Sequence, residues 1–146
     1  MSGFLCIDAS VAAKWVLPEE GSELALDLYA RSRDDDTTLI APPHLPIEVT
    51  NAIRRRVARK LITSPEGEAL LDAFLDFALS LAAPLGLYER ALQLAERFDR
   101  PTAYDTHYVA LAEIAGCELL TADRTLINAL GGQLSFVKPL GYHRPA

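Results

Sequence analysis

At 146 residues, half of them hydrophobic and 23% charged, the chain is long enough for one domain, 1-146, with a sizeable core, and too apolar for disorder. No apolar run reaches the length of a membrane span and Lys14 interrupts the N-terminal pattern before a signal-peptide core forms, so a cytoplasmic protein is expected. A net charge of -6 speaks against a plain electrostatic grip on nucleic acid, and two cysteines without metal-ligand spacing, Cys6 and Cys117, imply buried thiols rather than a disulfide or zinc site.

Phe4 to Ile7 is an apolar run that stops at Asp8, which reads as a first strand buried on both faces. An acid at the end of a strand in an open α/β sheet faces the usual binding crevice, and it is equally placed to cap the helix that begins near Ser10. That short helix runs to about Leu17 and ends at Pro18. A second, capped by Ser22, runs to about Ser32 with Leu24, Ala25, Leu28 and Tyr29 inward. Asp34 to Asp36 form a solvated turn, and Thr37 to Ala41, β-branched and apolar, form a second strand closed by Pro42 and Pro43.

A helix follows from about His44 to Lys60, with Pro46 tolerated in its first turn and Leu45, Val49, Ala52, Ile53 and Val57 as the inner stripe. Glu48 lies on or beside that stripe. The helix dipole explains its place along the axis but not its face. Asn51, Arg55 and Arg59 continue the same side as a polar track, inside a basic cluster spanning Arg54 to Lys60 whose ordinary reading is a solvated helix face.

Ser64-Pro65-Glu66 starts another helix, with Ser64 as the cap. Its wide apolar face, Leu70 to Ala78, calls for burial in the core or in a dimer interface. Leu81 to Leu85 reads as a short third strand made peripheral by Pro84, and Tyr88 to Phe98 as a helix. Tyr104 to Ala115 is a helix with Tyr108, Leu111, Ala112 and Ala115 inward, Gly116 as its C-terminal cap, and Asp105 on the inward side of its first turn. Leu119 to Thr121 is a strand ended by Asp123, Arg124 to Leu130 a short helix, and Leu134 to Val137 a last strand. The alternation calls for a three-layer α/β/α sandwich around a mainly parallel four- to five-stranded sheet.

Four acids then share one description. Asp8 and Asp123 follow strands, while Glu48 and Asp105 lie in first helical turns, and all four project toward one rim if the strands are parallel. Carboxylates brought together repel and raise one another's pKa unless a cation compensates. An all-oxygen donor set suits Mg2+, with Mn2+ as substitute, where Zn2+ would recruit Cys or His. Such a site activates water and neutralises phosphoryl charge, the chemistry of phosphodiester hydrolysis.

Cys6 to Ser10, Ile47 to Ala52, Tyr104 to Glu113 and Leu120 to Arg124 together resemble the signature of the PIN-domain ribonucleases, most closely the toxins of the VapC type. The resemblance spans nearly the whole chain. It implies metal-dependent endoribonuclease activity, homodimerisation and a small antitoxin that blocks the site. It also assigns Asp8, Glu48, Asp105 and Asp123 as catalytic acids, with Asp8 and Asp105 as direct metal ligands and Glu48 and Asp123 completing the metal site directly or through water.

Ser10, Asn51 and Thr121 are supporting hydrogen-bonding candidates, equally readable as cap or strand residues. With the four acids set aside, 16 of the 20 acidic residues face 14 basic ones, so the site supplies much of the negative excess and Arg55 and Arg59 become candidates to hold the RNA backbone. His107 reads as a local orienting residue, His44 and His143 as loop or tail residues without signal, and Trp15 as a core or interface residue. A non-toxin PIN nuclease, a non-catalytic module and a phosphoacceptor receiver are the rivals. Phe136-Val137-Lys138-Pro139 resembles a receiver's last strand, but the acidic pair after the first strand and the acceptor after the third are missing.

Overall fold

The structure, a computed structural model, describes residues 3–142. In chain order the elements are β1 (Gly3–Ile7), α1 (Ala9–Ala12) continued by a 3-10 turn (Ala13–Trp15), α2 (Ser22–Asp34), β2 (Thr37–Ala41), α3 (Leu45–Ala58), α4 (Ser64–Leu75), β3 (Ser80–Leu81), α5 (Leu87–Arg97), α6 (Tyr104–Ala115), β4 (Leu119–Thr121), α7 (Arg124–Leu130) and β5 (Val137–Pro139). The five strands run in the order β3-β2-β1-β4-β5, and every neighbouring pair is parallel. Leu5, Cys6 and Ile7 are buried in succession, as are Leu39 to Ala41 and Leu119 to Thr121, which requires cover on both faces of the sheet. The result is the expected α/β sandwich with β1 at its centre.

Several boundaries differ from the sequence reading, each for a local reason. Gly21, at φ 87°, caps α2 in place of Ser22, whose hydroxyl instead donates to the Leu17 carbonyl at 3.2 Å. Thr63 rather than Ser64 caps α4, because Thr63 and Glu66 form a reciprocal capping box three residues apart. The third strand is two residues, Ser80–Leu81, and stops before Pro84, which has no N–H for a ladder. The last strand is displaced from 134–137 to Val137–Pro139; its proline is tolerated on the edge of the sheet.

The core is one cluster running from Leu5 to Leu130. Trp15 is a core residue, with Nε1 donating to the Ala25 carbonyl at 3.1 Å and its ring stacked on Phe77 at 4.7 Å. In α2, Ala25 and Leu28 are buried and Leu24 is exposed; in α6, Tyr108, Leu111 and Ala112 are buried and Ala115 is exposed. Along α4 only Gly67 and Phe74 are fully buried, and a Cβ on Gly67 would stand 2.9 Å from Val57, so the glycine allows α4 to approach α3. Leu75 is left exposed. Cys6 is buried as expected, whereas Cys117 is half-buried. No helix of the described residues is long and apolar enough to cross a membrane.

Candidate active site

The chain leaves β1 toward β2 and β3 on one side and returns to β4 and β5 on the other, so the β1/β4 boundary is where the winding reverses. Ligands of open α/β sheets collect at the carboxyl ends of the strands at this boundary. Ile7 is in register with Leu120, which sets Asp8 against Thr121 and, two residues on, Asp123.

Asp8 takes both placements that the sequence offers it, helix cap and strand end. It caps α1, with Oδ1 accepting from the Val11 amide at 3.2 Å, and it is 5% exposed at the strand end. The Ser10 hydroxyl donates to Oδ1 at 2.5 Å and the Thr121 hydroxyl donates to Oδ2. Those two hydroxyls also receive backbone amides, Ala122 onto Ser10 at 2.9 Å and Asp123 onto Thr121 at 3.0 Å. Burial raises the pKa of Asp8 from 3.8 to about 6; the three hydrogen bonds oppose the rise and the charge of Asp123 adds to it. Asp123 in turn caps α7, its Oδ1 accepting from the Thr125 and Leu126 amides at 2.9 and 3.2 Å.

The other two acids are held by different partners. Glu48, in the first turn of α3, accepts on Oε1 from the Tyr108 hydroxyl at 2.9 Å and lies 3.0 Å from His44 Nε2. Tyr108 is pushed far above the usual phenol range, first by burial and then by the charge of Glu48, so it remains a donor at every working pH. Asp105, in the first turn of α6, accepts from Arg100 Nη2 at 3.0 Å. Thr106, buried next to it, pins α6 to α5 by donating to the Ala91 carbonyl at 2.8 Å.

The four acids therefore gather in parts rather than in one tight cluster. The charge of Asp123 acts on Asp8, and the charges of Glu48 and Asp8 both act on Tyr108. Asp105 leans on Arg100. Among the described residues no group of three or more His, Cys, Asp or Glu side chains stands close enough to hold one ion. Like charges separate when separate local donors satisfy them, which accounts for this arrangement. The donor chemistry still fits a hard divalent cation. Asp8 is a buried carboxylate beside a second carboxylate and, among the described residues, meets only hydroxyl and amide donors from its own chain. Mg2+ is commonly held through one or two carboxylates with waters filling the rest.

Beside Ser10 and Glu48 opens a groove of about 430 Å3, lined also by Leu17, Arg55, Arg56 and Arg59. Arg56 is paired with Glu19 at 2.9 Å, while Arg55 and Arg59 are exposed and, among the described residues, have no ion-pair partner. Asn51 is exposed and does not line the groove. Lys138 lies over the Tyr142 ring at 4.7 Å.

His44, Tyr108 and Arg100 are site residues that the sequence does not announce. By pattern alone His44 reads as a loop residue and Tyr108 only as core. The one available signal is His44 four residues before Glu48, a spacing that brings side chains together on a helix. His107 orients locally as expected, with Nδ1 within hydrogen-bonding distance of the Ala103 carbonyl. His143 lies outside the described residues.

The sequence profile of the PIN domain family matches residues 5–130. The chain is 34% identical to Ribonuclease VapC12 of Mycobacterium tuberculosis over 128 residues, covering 87% of this chain and 92% of the relative. It is 34% identical to Ribonuclease VapC3 of Pyrobaculum aerophilum over 124 residues, covering 84% and 91%. The crystal structure of PAE2754 from Pyrobaculum aerophilum shares the fold, with a TM-score of 0.69 at 18% identity over 97% of this chain and 93% of that one.

Proposed function

The chain belongs to the PIN domain family, and on that premise we propose that it is a metal-dependent endoribonuclease hydrolysing RNA phosphodiester bonds, the toxin of a toxin–antitoxin pair. The observation that carries the reading is Asp8, a buried carboxylate at the point where the sheet winding reverses, beside Asp123. The names of the relatives, ribonucleases of the VapC type, support the substrate class.

Asp8 and Asp123 would hold Mg2+ or Mn2+, with Asp105 and Glu48 completing the site directly or through water. A cation held there would lower the pKa of a coordinated water and neutralise phosphoryl charge. The chain's own residues do the rest. Ser10 and Thr121 fix both oxygens of Asp8. Tyr108 and His44 aim Glu48, and Arg100 holds Asp105 in place. Arg55 and Arg59 bind the RNA backbone along the groove. The protein works as one domain spanning residues 1–146, a cytoplasmic homodimer whose site is blocked by a small antitoxin.

Incubating the purified protein with structured RNAs, with and without Mg2+ or Mn2+, tests the chemistry. Cleavage that needs the cation and disappears in Asp8→Asn supports it, and wild-type protein that cuts no RNA refutes it. Unchanged divalent-metal binding in the double variant Asp8→Asn, Asp105→Asn would favour a non-catalytic module. Growth arrest on expression, relieved by Asp8→Asn, separates a toxin from a PIN nuclease with another role.

A further inference from the structure

The groove beside the acids has two walls. One is α1 with the chain that follows it as far as Glu19, and the other is α3 from Glu48 to Arg59. Among the described residues a single side-chain ion pair joins the two walls, Arg56 Nη2 to Glu19 Oε2 at 2.9 Å. The other oxygen of Glu19, Oε1, accepts from Lys14 Nζ at 3.1 Å. Glu19 therefore stands between a guanidinium and an ammonium, with one oxygen turned to each.

The arrangement is built in. The Lys14 side chain is only 14% exposed, a degree of cover that lysines tolerate when they are paired. Its Nζ also donates to the Glu20 carbonyl at 2.8 Å, and its stem lies against Gly21, where a Cβ would stand 3.4 Å from Cδ and Cε. The loop that carries Glu19 is closed by the Ser22 hydroxyl, which accepts from the Glu19 amide at 3.0 Å and donates to the Leu17 carbonyl.

We infer that Lys14 and Arg56 form a phosphate site that the chain fills with its own carboxylate, so that Glu19 restrains the hold of the groove on RNA. The inference rests on the nuclease reading and adds a regulator to the same groove. A phosphodiester, like a carboxylate, offers two oxygens that share one negative charge, and a cation on each is what Lys14 and Arg56 give Glu19. Glu19 is tethered beside them, so its effective concentration there exceeds that of a phosphate arriving from solution. Arg55 and Arg59, without an ion-pair partner among the described residues, are left to meet the backbone. One carboxylate thus withholds two cations, which lowers the affinity of the groove for any phosphate chain and makes its binding less dependent on salt.

Anisotropy titration of a short single-stranded RNA over a range of salt tests this, with Ca2+ replacing Mg2+ to suppress cleavage. Glu19→Gln removes the charge and keeps the shape. It should steepen the slope of log affinity against log salt by about 0.7 to 1.4, for one or two phosphates newly neutralised, and tighten binding at low salt roughly 5- to 50-fold. Glu20→Gln is the control, because it deletes an equal charge one residue away and frees neither cation, so its slope should stay near that of wild type. Arg56→Ala should change the slope little in the wild-type background and lower it by about 0.7 in the Glu19→Gln background, a non-additivity that a plain loop fastener does not produce. Glu19 is partly exposed, so the melting temperature should hold within a few degrees. A wild-type slope in Glu19→Gln overturns the inference, as does an equal steepening in Glu20→Gln, or an effect of Arg56→Ala that is the same in both backgrounds. If that occurs while wild type still cleaves RNA with Mn2+, only the phosphate site fails. Wild type that neither binds nor cleaves RNA removes the nuclease reading and the phosphate site with it.

Discussion

The Tyr108 hydroxyl donates to Glu48 Oε1 at 2.9 Å and ties the first turn of α3 to α6 across 60 positions of sequence. Tyr108 is 1% exposed, so its ring belongs to the core while its oxygen reaches the site. One residue thus fixes the packing of α6 under the sheet and the direction of Glu48, a proposed site acid. The His44 imidazole, packed 4.8 Å from the Tyr108 ring, reaches the same oxygen at 3.0 Å.

Tyr108→Phe separates these roles, since it keeps the ring and removes the donor. Partners that orient an acid in a metal site cost about 10- to 100-fold in activity when removed. The expected result is a fall in kcat of roughly 10-fold or more with KM within about twofold, while stability falls by only about 1 kcal/mol because Glu48 stays partly hydrated. Steady-state cleavage and thermal melting of the two proteins measure both. Full activity in Tyr108→Phe would mean that Glu48 needs no positioning from α6.

Much of this site is legible in the chain because its acids sit at element ends, where the pattern of apolar residues stops. The runs before Asp8 and Asp123 mark strands, and a parallel sheet puts such ends on one rim. What links the acids to their partners is not legible. The Tyr108–Glu48 bond joins residues far apart in sequence, and no local spacing encodes it. Arg100 looks like a helix exit, and its pairing with Asp105 depends on the turn through Asp99, at φ 50°. Asn51 joins the polar track by nearness in sequence alone. Three residues turn an α-helix about 60° off the line of Glu48, whereas seven and eleven bring Arg55 and Arg59 back within about 20°. That rotation is why Arg55 and Arg59 line the groove and Asn51 does not.

Asp8 makes stability depend on pH in a defined direction. It titrates near 3.8 when unfolded and near 6 when folded, so between these values the folded state binds more protons. Stability therefore falls as pH rises through that window and is level above about 6. The gap corresponds to roughly 3 kcal/mol. Asp8→Asn removes the penalty and loses some hydrogen bonding, so at neutral pH and without metal the variant should be more stable by about 1–2 kcal/mol. Urea unfolding at pH 4.5 and 7.5 checks this. A variant less stable than wild type at pH 7.5 contradicts it. Mn2+ should raise the melting temperature of wild type at pH 7.5, do so less at pH 4.5 where protons compete, and leave Asp8→Asn nearly unmoved.

Arg100 pairs with Asp105, so a divalent cation held by Asp105, as proposed, would have to displace a charge. Arg100→Ala should therefore tighten Mn2+ binding several-fold, because a guanidinium a few ångströms from the site repels the ion. Stability should change by less than about 1 kcal/mol, since the pair is partly exposed. Asp105→Asn should do the opposite and weaken Mn2+ binding. Isothermal titration of the three proteins decides the matter, and Mn2+ affinity unaffected by either change would place Asp105 outside the metal site.

Arg55 and Arg59 give the last prediction, and Arg56 its internal control. Arg56 is committed to Glu19, while its two neighbours along the groove have no acidic partner among the described residues. If Arg55 and Arg59 hold phosphates, replacing both with Ala should lower the slope of log affinity against log salt by about 1.4, near 0.7 for each single-strand phosphate no longer neutralised, and weaken RNA binding at low salt. Arg56→Ala should change the slope little. Mn2+ affinity should be the same in all three, because none of these arginines pairs with Asp8, Glu48, Asp105 or Asp123 among the described residues. An unchanged slope in the double variant would return this part of α3 to the role of a solvated helix face.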